Sequence, residues 1–123
     1  MPHIIIEHSK NIFEKNLLKV GQEIQKIMAD ISEGNFDPDQ VKIRCIQYQN
    51  YIVGLEKSDE NFIHISIKIL SGRSLEIRKK LSLQTFEIVK SFYENLNSPQ
   101  KRCDISVDII EMERDVYKKI TIK

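Results

Sequence analysis

The sequence predicts an α+β domain with the element order β-α-β-β-α-β. Four isoleucine-rich stretches alternate with two stretches whose apolar residues recur at three- and four-residue steps. The second half also repeats the pattern of the first at an offset of roughly 61 residues. Because 123 residues is the size of one domain, we predict a single domain over 1–123 with pseudo-repeats of about 1–60 and 61–123.

The first pseudo-repeat contains a strand, a helix and a second strand. Residues 3–8 (HIIIEH) are rich in isoleucine, which favours a strand. Residues 12–33 carry one apolar stripe and predict a helix, which Gly34-Asn35 would end. After a loop around Asp37-Pro38, residues 41–53 (VKIRCIQYQNYIV) predict the second strand.

The second pseudo-repeat has the same order. Residues 61–70 (NFIHISIKIL) alternate strictly, with the odd-numbered isoleucines on one face. A helix is expected over 74–97, with Pro99 just beyond its end. Residues 103–113 predict the fourth strand, and the tail 116–123 could add a short edge strand.

Right-handed crossovers place helices against a sheet face. With only two helices, we expect both on the face built by the odd-numbered isoleucines of the third strand. The opposite face is expected to mix polar and apolar groups: Arg44, Ile46, Tyr48, Ser106, Asp108 and Ile110. Exposing the large apolar side chains of this face to water is unfavourable, so we expect subunits to associate over it.

The composition excludes several classes of function. Lys and Arg number 19 against 18 Asp and Glu, so the net charge of +1 predicts no attraction to nucleic acid or acidic membranes. No wholly apolar run exceeds three residues, and we expect neither a membrane span nor a signal peptide. Cys45 and Cys103 form no CxxC pair, which favours a reducing cytoplasm.

The histidines do not form a metal site in the sequence. His3 and His8 are an odd number of positions apart and point to opposite faces of a strand, whereas His64 is alone on the third strand. No histidine pair has ligand spacing, and no Cys or acidic cluster completes a site. We therefore expect no metal.

Gly72-Arg73-Ser74 lies between a predicted strand and a predicted helix. Anions bind at such helix N-termini, and an arginine adds a fork for a carboxylate. The segment lacks the glycine spacing of a P-loop or a dinucleotide fingerprint. The structural alternative is a glycine turn followed by a serine N-cap.

Pro2 directly follows the initiator Met1, which is normally removed before a small residue. The mature chain would then begin with a secondary amine. An apolar pocket and neighbouring arginines would both disfavour the charged amine, which would suit it to general-base work near neutral pH. The alternative is that Met-Pro is an ordinary start with no catalytic role.

Read together, two segments resemble a known family. Residues 2–12 (PHIIIEHSKNI) and 64–78 (HISIKILSGRSLEIR) are similar to 5-carboxymethyl-2-hydroxymuconate isomerases of the tautomerase superfamily. The resemblance implies a tautomerase-like fold in which two βαβ units form a mixed four-stranded sheet. It also implies a homotrimer and an isomerase of aromatic compound catabolism that acts without metal or organic cofactor.

The resemblance also implies roles for three residues. Pro2 would be the general base that moves a proton and a double bond in an unsaturated enol or keto acid. Arg73 matches a family arginine that grips a substrate carboxylate, and Arg44 matches a second one in a less similar segment. The C-terminal tail, rich in Lys and Ile, departs from the family pattern.

Two other functions remain open at this point. The same element order occurs in ferredoxin-like domains that serve as ligand-binding or regulatory modules; these have an antiparallel sheet and need no free N-terminus. A non-catalytic oligomer with the tautomerase fold is the other alternative, and a retained Met1 would favour it.

Overall fold

Four strands and two helices follow one another in the predicted order. A computed structural model describes residues 2–12, 14–31, 36–55, 60–96 and 102–123. The main elements are β1 (His3–Ser9), α1 (Glu14–Ile31), β2 (Lys42–Tyr48), β3 (Asn61–Leu70), α2 (Leu75–Glu94) and β4 (Cys103–Met112). Short 3₁₀ helices at Pro38–Gln40 and Arg114–Val116 precede β2 and follow β4.

The four strands form one mixed sheet in the order β2-β1-β3-β4. β1 and β2 are parallel, β3 and β4 are parallel, and the central pair β1 and β3 is antiparallel. Each βαβ unit therefore contributes one parallel pair, which confirms the mixed tautomerase-like sheet. The ferredoxin-like alternative is wrong, because it requires an antiparallel sheet, whereas the first two strands are adjacent and parallel.

Both helices cover the predicted face of the sheet. α1 packs against β2, α2 packs against β4, and the helices pack against each other. The odd-numbered isoleucines of β3 lie at the centre of this core with no exposed surface, together with Ile4 and Ile6 of β1. At Gly21 a Cβ would overlap the side chain of Ile43, so α1 can approach β2 this closely only with glycine.

Element ends differ from the predictions more than element types do. β2 was expected over 41–53 but ends at Tyr48, because the chain bends at 49–50 and only Val53 forms a further isolated bridge. The helices were expected over 12–33 and 74–97. Ile12 lies in a bend before α1, and α2 spans Leu75–Glu94, with Ser74 as its cap and residues 95–96 beyond its end. Residues 32–33, the predicted end of the first helix, lie outside the described residues. The predicted stops at Gly34-Asn35 and Pro99 lie outside the described residues.

The C-terminal tail does not form the expected edge strand. After the 3₁₀ turn at 114–116, residues 117–123 have no strand pairing, and Ile120 and Ile122 project into solvent. Side-chain hydrogen bonds hold the tail instead: Tyr117 contacts His3, and Lys119 donates to Gln40. Neither described helix is long and apolar enough to cross a membrane.

Candidate active site

The strand directions bring several segments to one end of the sheet. Because β1 is antiparallel to β3, the start of β1 lies beside the end of β3, with His3 opposite Lys68. β4 runs parallel to β3 and ends at the same place. The backbone N–H of Lys42 donates to the Pro2 carbonyl at 3.1 Å, which fixes the start of the chain. We call this the pocket end of the sheet, marked by Pro2, Arg73 and Arg114.

A cavity of about 230 Å³ lies at the pocket end, and Pro2 is buried in its wall. Its lining residues come from four parts of the chain: Pro2, Phe36, Asp37, Gln40, Leu70, Arg73 and Arg114. The structure thus brings Pro2 and Arg73, two of the three predicted site residues, to one cavity. A larger groove of about 620 Å³ between the helices contains none of the predicted site residues, so we place the candidate site at the pocket end.

Arg73 is positioned by the turn between β3 and α2. Gly72 has a φ of 120°, a conformation that glycine adopts readily, and Ser74 caps α2 by accepting a hydrogen bond from the Ile77 N–H at 3.2 Å. The Arg73 guanidinium lies 4.3 Å from the Phe36 ring centre and donates to the Leu70 carbonyl at 3.3 Å. The glycine turn at Gly72 and the serine N-cap at Ser74 are therefore both present, and between them they place Arg73 in the wall of the cavity.

Arg114 supplies a second cation that the sequence analysis missed. Its Nε and Nη2 donate to the Ser71 carbonyl at 3.1 and 2.9 Å, so the guanidinium has a defined orientation. Burial lowers the pKa of Arg73, and the charge of Arg114 lowers it further. Arginine nevertheless stays protonated in proteins. Two guanidinium groups and one carboxylate, that of Asp37, line the small cavity, so its charged side chains carry a net positive charge that favours an anion.

The order and direction of the predicted strands could have identified Arg114 as a site residue. It follows β4, and the end of β4 must lie beside the end of β3 if the two strands are parallel and paired. Phe36 was also missed, because a single aromatic residue in a polar loop gives no sign of what it will contact.

Arg44 is not among the residues that line this cavity. It lies on the face of the sheet that the helices do not cover, which we call the open face. There its Nη1 donates to His3 Nδ1 at 3.1 Å. His3 Nε2 therefore carries the proton and donates to the Tyr117 hydroxyl at 3.1 Å. Burial lowers the pKa of His3, and the charges of Arg44 and Lys42 lower it further. Neutral His3 is thus a structural partner of Arg44.

The remaining chemically interesting residues lie elsewhere. His64 hydrogen-bonds Ser106 at 2.6 Å. Burial, followed by the charge of Asp104, raises the pKa of the Cys103 thiol to about 12, so it stays protonated at neutral pH. Across 2–12, 14–31, 36–55, 60–96 and 102–123, no three His, Cys, Asp or Glu residues are grouped to hold a metal.

Comparisons with known proteins agree on one family. The model of the 5-carboxymethyl-2-hydroxymuconate isomerase family matches residues 2–123. The 5-carboxymethyl-2-hydroxymuconate Delta-isomerase of Escherichia coli is 29% identical over 97 residues, which are 78% of this chain and 75% of that protein.

Solved structures share the fold. The crystal structure of a 5-carboxymethyl-2-hydroxymuconate isomerase from Deinococcus radiodurans R1 matches with a TM-score of 0.82 and 19% identity, over 98% of this chain and 90% of that one. A structure described as a fused 4-OT wild type symmetric trimer matches with a TM-score of 0.70 and 15% identity, over 92% and 88% of the two chains.

Proposed function

This chain belongs to the 5-carboxymethyl-2-hydroxymuconate isomerase family, and on that premise we propose that it is an isomerase acting on an unsaturated enol or keto acid. The general base in this proposal is the amine of Pro2 after removal of Met1. One observation supports it above all: buried Pro2 shares a small cavity with the guanidinium groups of Arg73 and Arg114.

The surroundings of Pro2 suit a general base. The Lys42 N–H holds the Pro2 carbonyl, and the proline ring restricts the direction of the amine. The amine exists only in a chain that has lost Met1, so that processing step is part of the proposal. Burial and two nearby cations disfavour the protonated amine, which leaves more of it able to accept a proton.

The proposed reaction moves one proton and one double bond. The Pro2 amine takes a proton from one end of the conjugated acid, and the negative charge spreads onto the enolate oxygen. The resulting ammonium returns the proton to a different carbon, so one bond to hydrogen breaks and another forms. Arg73 binds a carboxylate of the substrate through its planar fork and stabilises the charge that develops. Each step uses residues of the chain and needs no organic cofactor.

We propose a homotrimer associated over the open sheet face. The match to a protein described as a symmetric trimer supports this assembly, as does the partly exposed Ile46 on that face. Arg44 remains a proposed second carboxylate ligand. Because it lies outside the cavity of its own chain, this role requires association to bring the open face beside a cavity. We also propose a cytoplasmic role in aromatic compound catabolism.

The experiment is to follow the isomerisation of 5-carboxymethyl-2-hydroxymuconate by ultraviolet absorbance at neutral pH, on protein whose mass confirms the loss of Met1. We expect turnover well above the spontaneous rate. No turnover of this substrate by a correctly processed, folded chain would overturn the proposed substrate. Absence of turnover with other enol acids as well would instead support the non-catalytic oligomer.

A further inference from the structure

We propose that Tyr117 of the C-terminal tail is a positioning residue, which holds Pro2 in the wall of the cavity by bonding the side chain of His3. This inference deepens the proposed function and rests on it for the effect on turnover. Its structural part is that the tail holds the start of the chain in place, and that part can be measured without turnover.

The proposed general base lies where a chain is usually mobile. Once Met1 is removed, the Pro2 amine is the first group of the chain, and terminal residues are poorly ordered unless other elements hold them. The backbone of this segment is held by the Lys42 N–H, which donates to the Pro2 carbonyl at 3.1 Å, and by the pairing of His3 with Lys42 and Lys68. Any side-chain attachment of the same segment therefore affects where the amine lies.

The tail that follows β4 crosses the pocket end of the sheet strand by strand. From β4, the strand order across the sheet is β3, β1 and β2. Three side-chain contacts attach the tail to the segments of these strands in the same order: Arg114 to Ser71 just after β3, Tyr117 to His3 of β1, and Lys119 to Gln40 shortly before β2. The tail is thus bonded on both sides of Tyr117, which gives His3 a partner with a defined position.

The side chain of His3 is held from both of its ring nitrogens. Nε2 donates to the Tyr117 hydroxyl at 3.1 Å, and the two rings meet edge to face with their centres 6.3 Å apart. On the other side, Arg44 donates to Nδ1 at 3.1 Å. Pro2 is joined to His3 by a planar peptide bond, and the proline ring contains the amine, so few rotations separate the held imidazole from the proposed base.

The first test is amide hydrogen exchange at Lys42, whose N–H bonds the Pro2 carbonyl. Tyr117→Phe removes the hydroxyl and keeps the ring, so the His3 Nε2–H loses its acceptor. We expect exchange of the Lys42 amide to become about fivefold faster or more relative to the amides of β3, because the start of the chain opens more often. The measurement is made by NMR on protein whose mass shows that it begins at Pro2.

Tyr93→Phe is the matched control. It makes the same chemical change at the other end of the sheet, where the Tyr93 hydroxyl accepts a hydrogen bond from Asn61 at 2.9 Å. It is expected to lower the free energy of unfolding without selectively accelerating exchange at Lys42. An equal acceleration at Lys42 in both variants would overturn the proposal, since a general loss of stability would then explain it.

The second test is steady-state kinetics with 5-carboxymethyl-2-hydroxymuconate. A displaced base slows proton transfer but leaves the arginines of the cavity in place. Tyr117→Phe is therefore expected to lower kcat by about 3- to 10-fold while KM changes less than about twofold. Tyr93→Phe should leave both constants of the folded protein near their wild-type values.

A double variant tests whether the Tyr117 hydroxyl acts through His3. His3→Phe removes both ring nitrogens, so adding Tyr117→Phe to it should lower kcat little further. Losses in kcat that multiply in the double variant would show that the two residues act independently, which contradicts the proposal.

The two tests separate this inference from the proposed reaction. Unchanged exchange at Lys42 in Tyr117→Phe overturns the hold on the start of the chain. If exchange is accelerated but the wild-type chain does not isomerise the substrate, the hold stands and the proposed reaction fails. If the wild-type chain turns over and Tyr117→Phe has an unchanged kcat, the reaction stands and the positioning role of Tyr117 fails.

Discussion

The two ends of the sheet use polar groups in opposite ways. At the end away from the cavity, Ser9 Oγ donates to Asn61 Oδ1 at 3.0 Å, and Asn61 Nδ2 donates to the Tyr93 hydroxyl at 2.9 Å. All three residues are buried. We call this the closed end. At the pocket end, Arg73 and Arg114 instead face a cavity with like charges. Buried polar groups therefore bond one another at the closed end, whereas the pocket end places two guanidinium groups and the Asp37 carboxylate beside a cavity, which is where we propose that the substrate binds.

The two βαβ units show where this asymmetry is encoded. The connector from β1 to α1 and the connector from β3 to α2 occupy equivalent places at the opposite ends of the sheet. Ile12 in the first connector is only 4% exposed and joins the core, whereas the repeat offset of roughly 61 residues places Arg73 at the matching point of the second. The two units therefore share a fold, but among the described residues Arg73 of the second connector lines the cavity at the pocket end, whereas Ile12 of the first lies in the core.

The largest expected effect comes from Pro2 at the pocket end. Pro2→Ala is expected to lower kcat/KM by at least ~100-fold, because it removes the ring-restricted secondary amine proposed as general base. The matched control is Ser9→Ala at the closed end, which should leave kcat/KM of the folded protein near the wild-type value. Wild-type rates in Pro2→Ala would remove Pro2 from the mechanism.

Arg73 should produce the next largest effect. Arg73→Ala is expected to reduce kcat/KM for carboxylate substrates by about 10- to 100-fold, which corresponds to the loss of a charge-assisted hydrogen bond. Arg73→Lys keeps a charge but loses the planar fork, so it should recover only part of the activity. Unchanged kcat and KM in Arg73→Ala would show that this side chain does not bind the substrate.

Asn61 should show the reverse pattern. Asn61→Ala leaves the buried hydroxyls of Ser9 and Tyr93 without the amide they bond, so we expect the free energy of unfolding to fall by about 1–3 kcal/mol. Turnover per folded molecule should be unchanged. Urea unfolding and steady-state kinetics on the same preparation test both parts, and a fall in kcat/KM without a loss of stability would contradict the division between the two ends.

The smallest expected effect concerns His3 and pH. Because the pKa of His3 is below 6.5 in the folded chain, the unfolded chain takes up this proton first as the pH falls. This histidine should therefore cost stability below about pH 6.5, and the cost should stop growing once the pH is below its folded pKa. We expect His3→Asn to lose less stability than the wild-type chain between pH 7.5 and 5.5, measured by urea unfolding. Equal losses would contradict the lowered pKa.

Much of the fold could be predicted from local patterns. The strict alternation of β3 gave its bounds, 61–70, and its buried face, because a period of two allows only one arrangement of the isoleucines. Helix ends were less predictable, since capping involves single residues. β2 was predicted too long because Tyr51, Ile52 and Val53 continue its apolar character beyond the bend at 49–50.

The candidate site was predictable only in part. Pro2 and Arg73 were predicted as site residues from their sequence positions and from the family resemblance. The strand directions bring them to one cavity. Arg114 and Phe36 reach that cavity through tertiary contacts. The Arg114 guanidinium bonds the Ser71 carbonyl, and the Phe36 ring lies against the Arg73 guanidinium. Such contacts leave no periodic signal in the sequence. Arg44 was correctly placed on the open face, and its proposed role depends on assembly.

The measurement that tests the central claim most directly compares two forms of the same chain, one beginning at Pro2 and one retaining Met1, each verified by mass. Both are assayed for isomerisation of 5-carboxymethyl-2-hydroxymuconate, with matched unfolding curves to show that both are folded. We predict that only the form beginning at Pro2 accelerates the reaction, because only it has the secondary amine. Equal turnover by the two forms would contradict the proposal that the Pro2 amine is the general base.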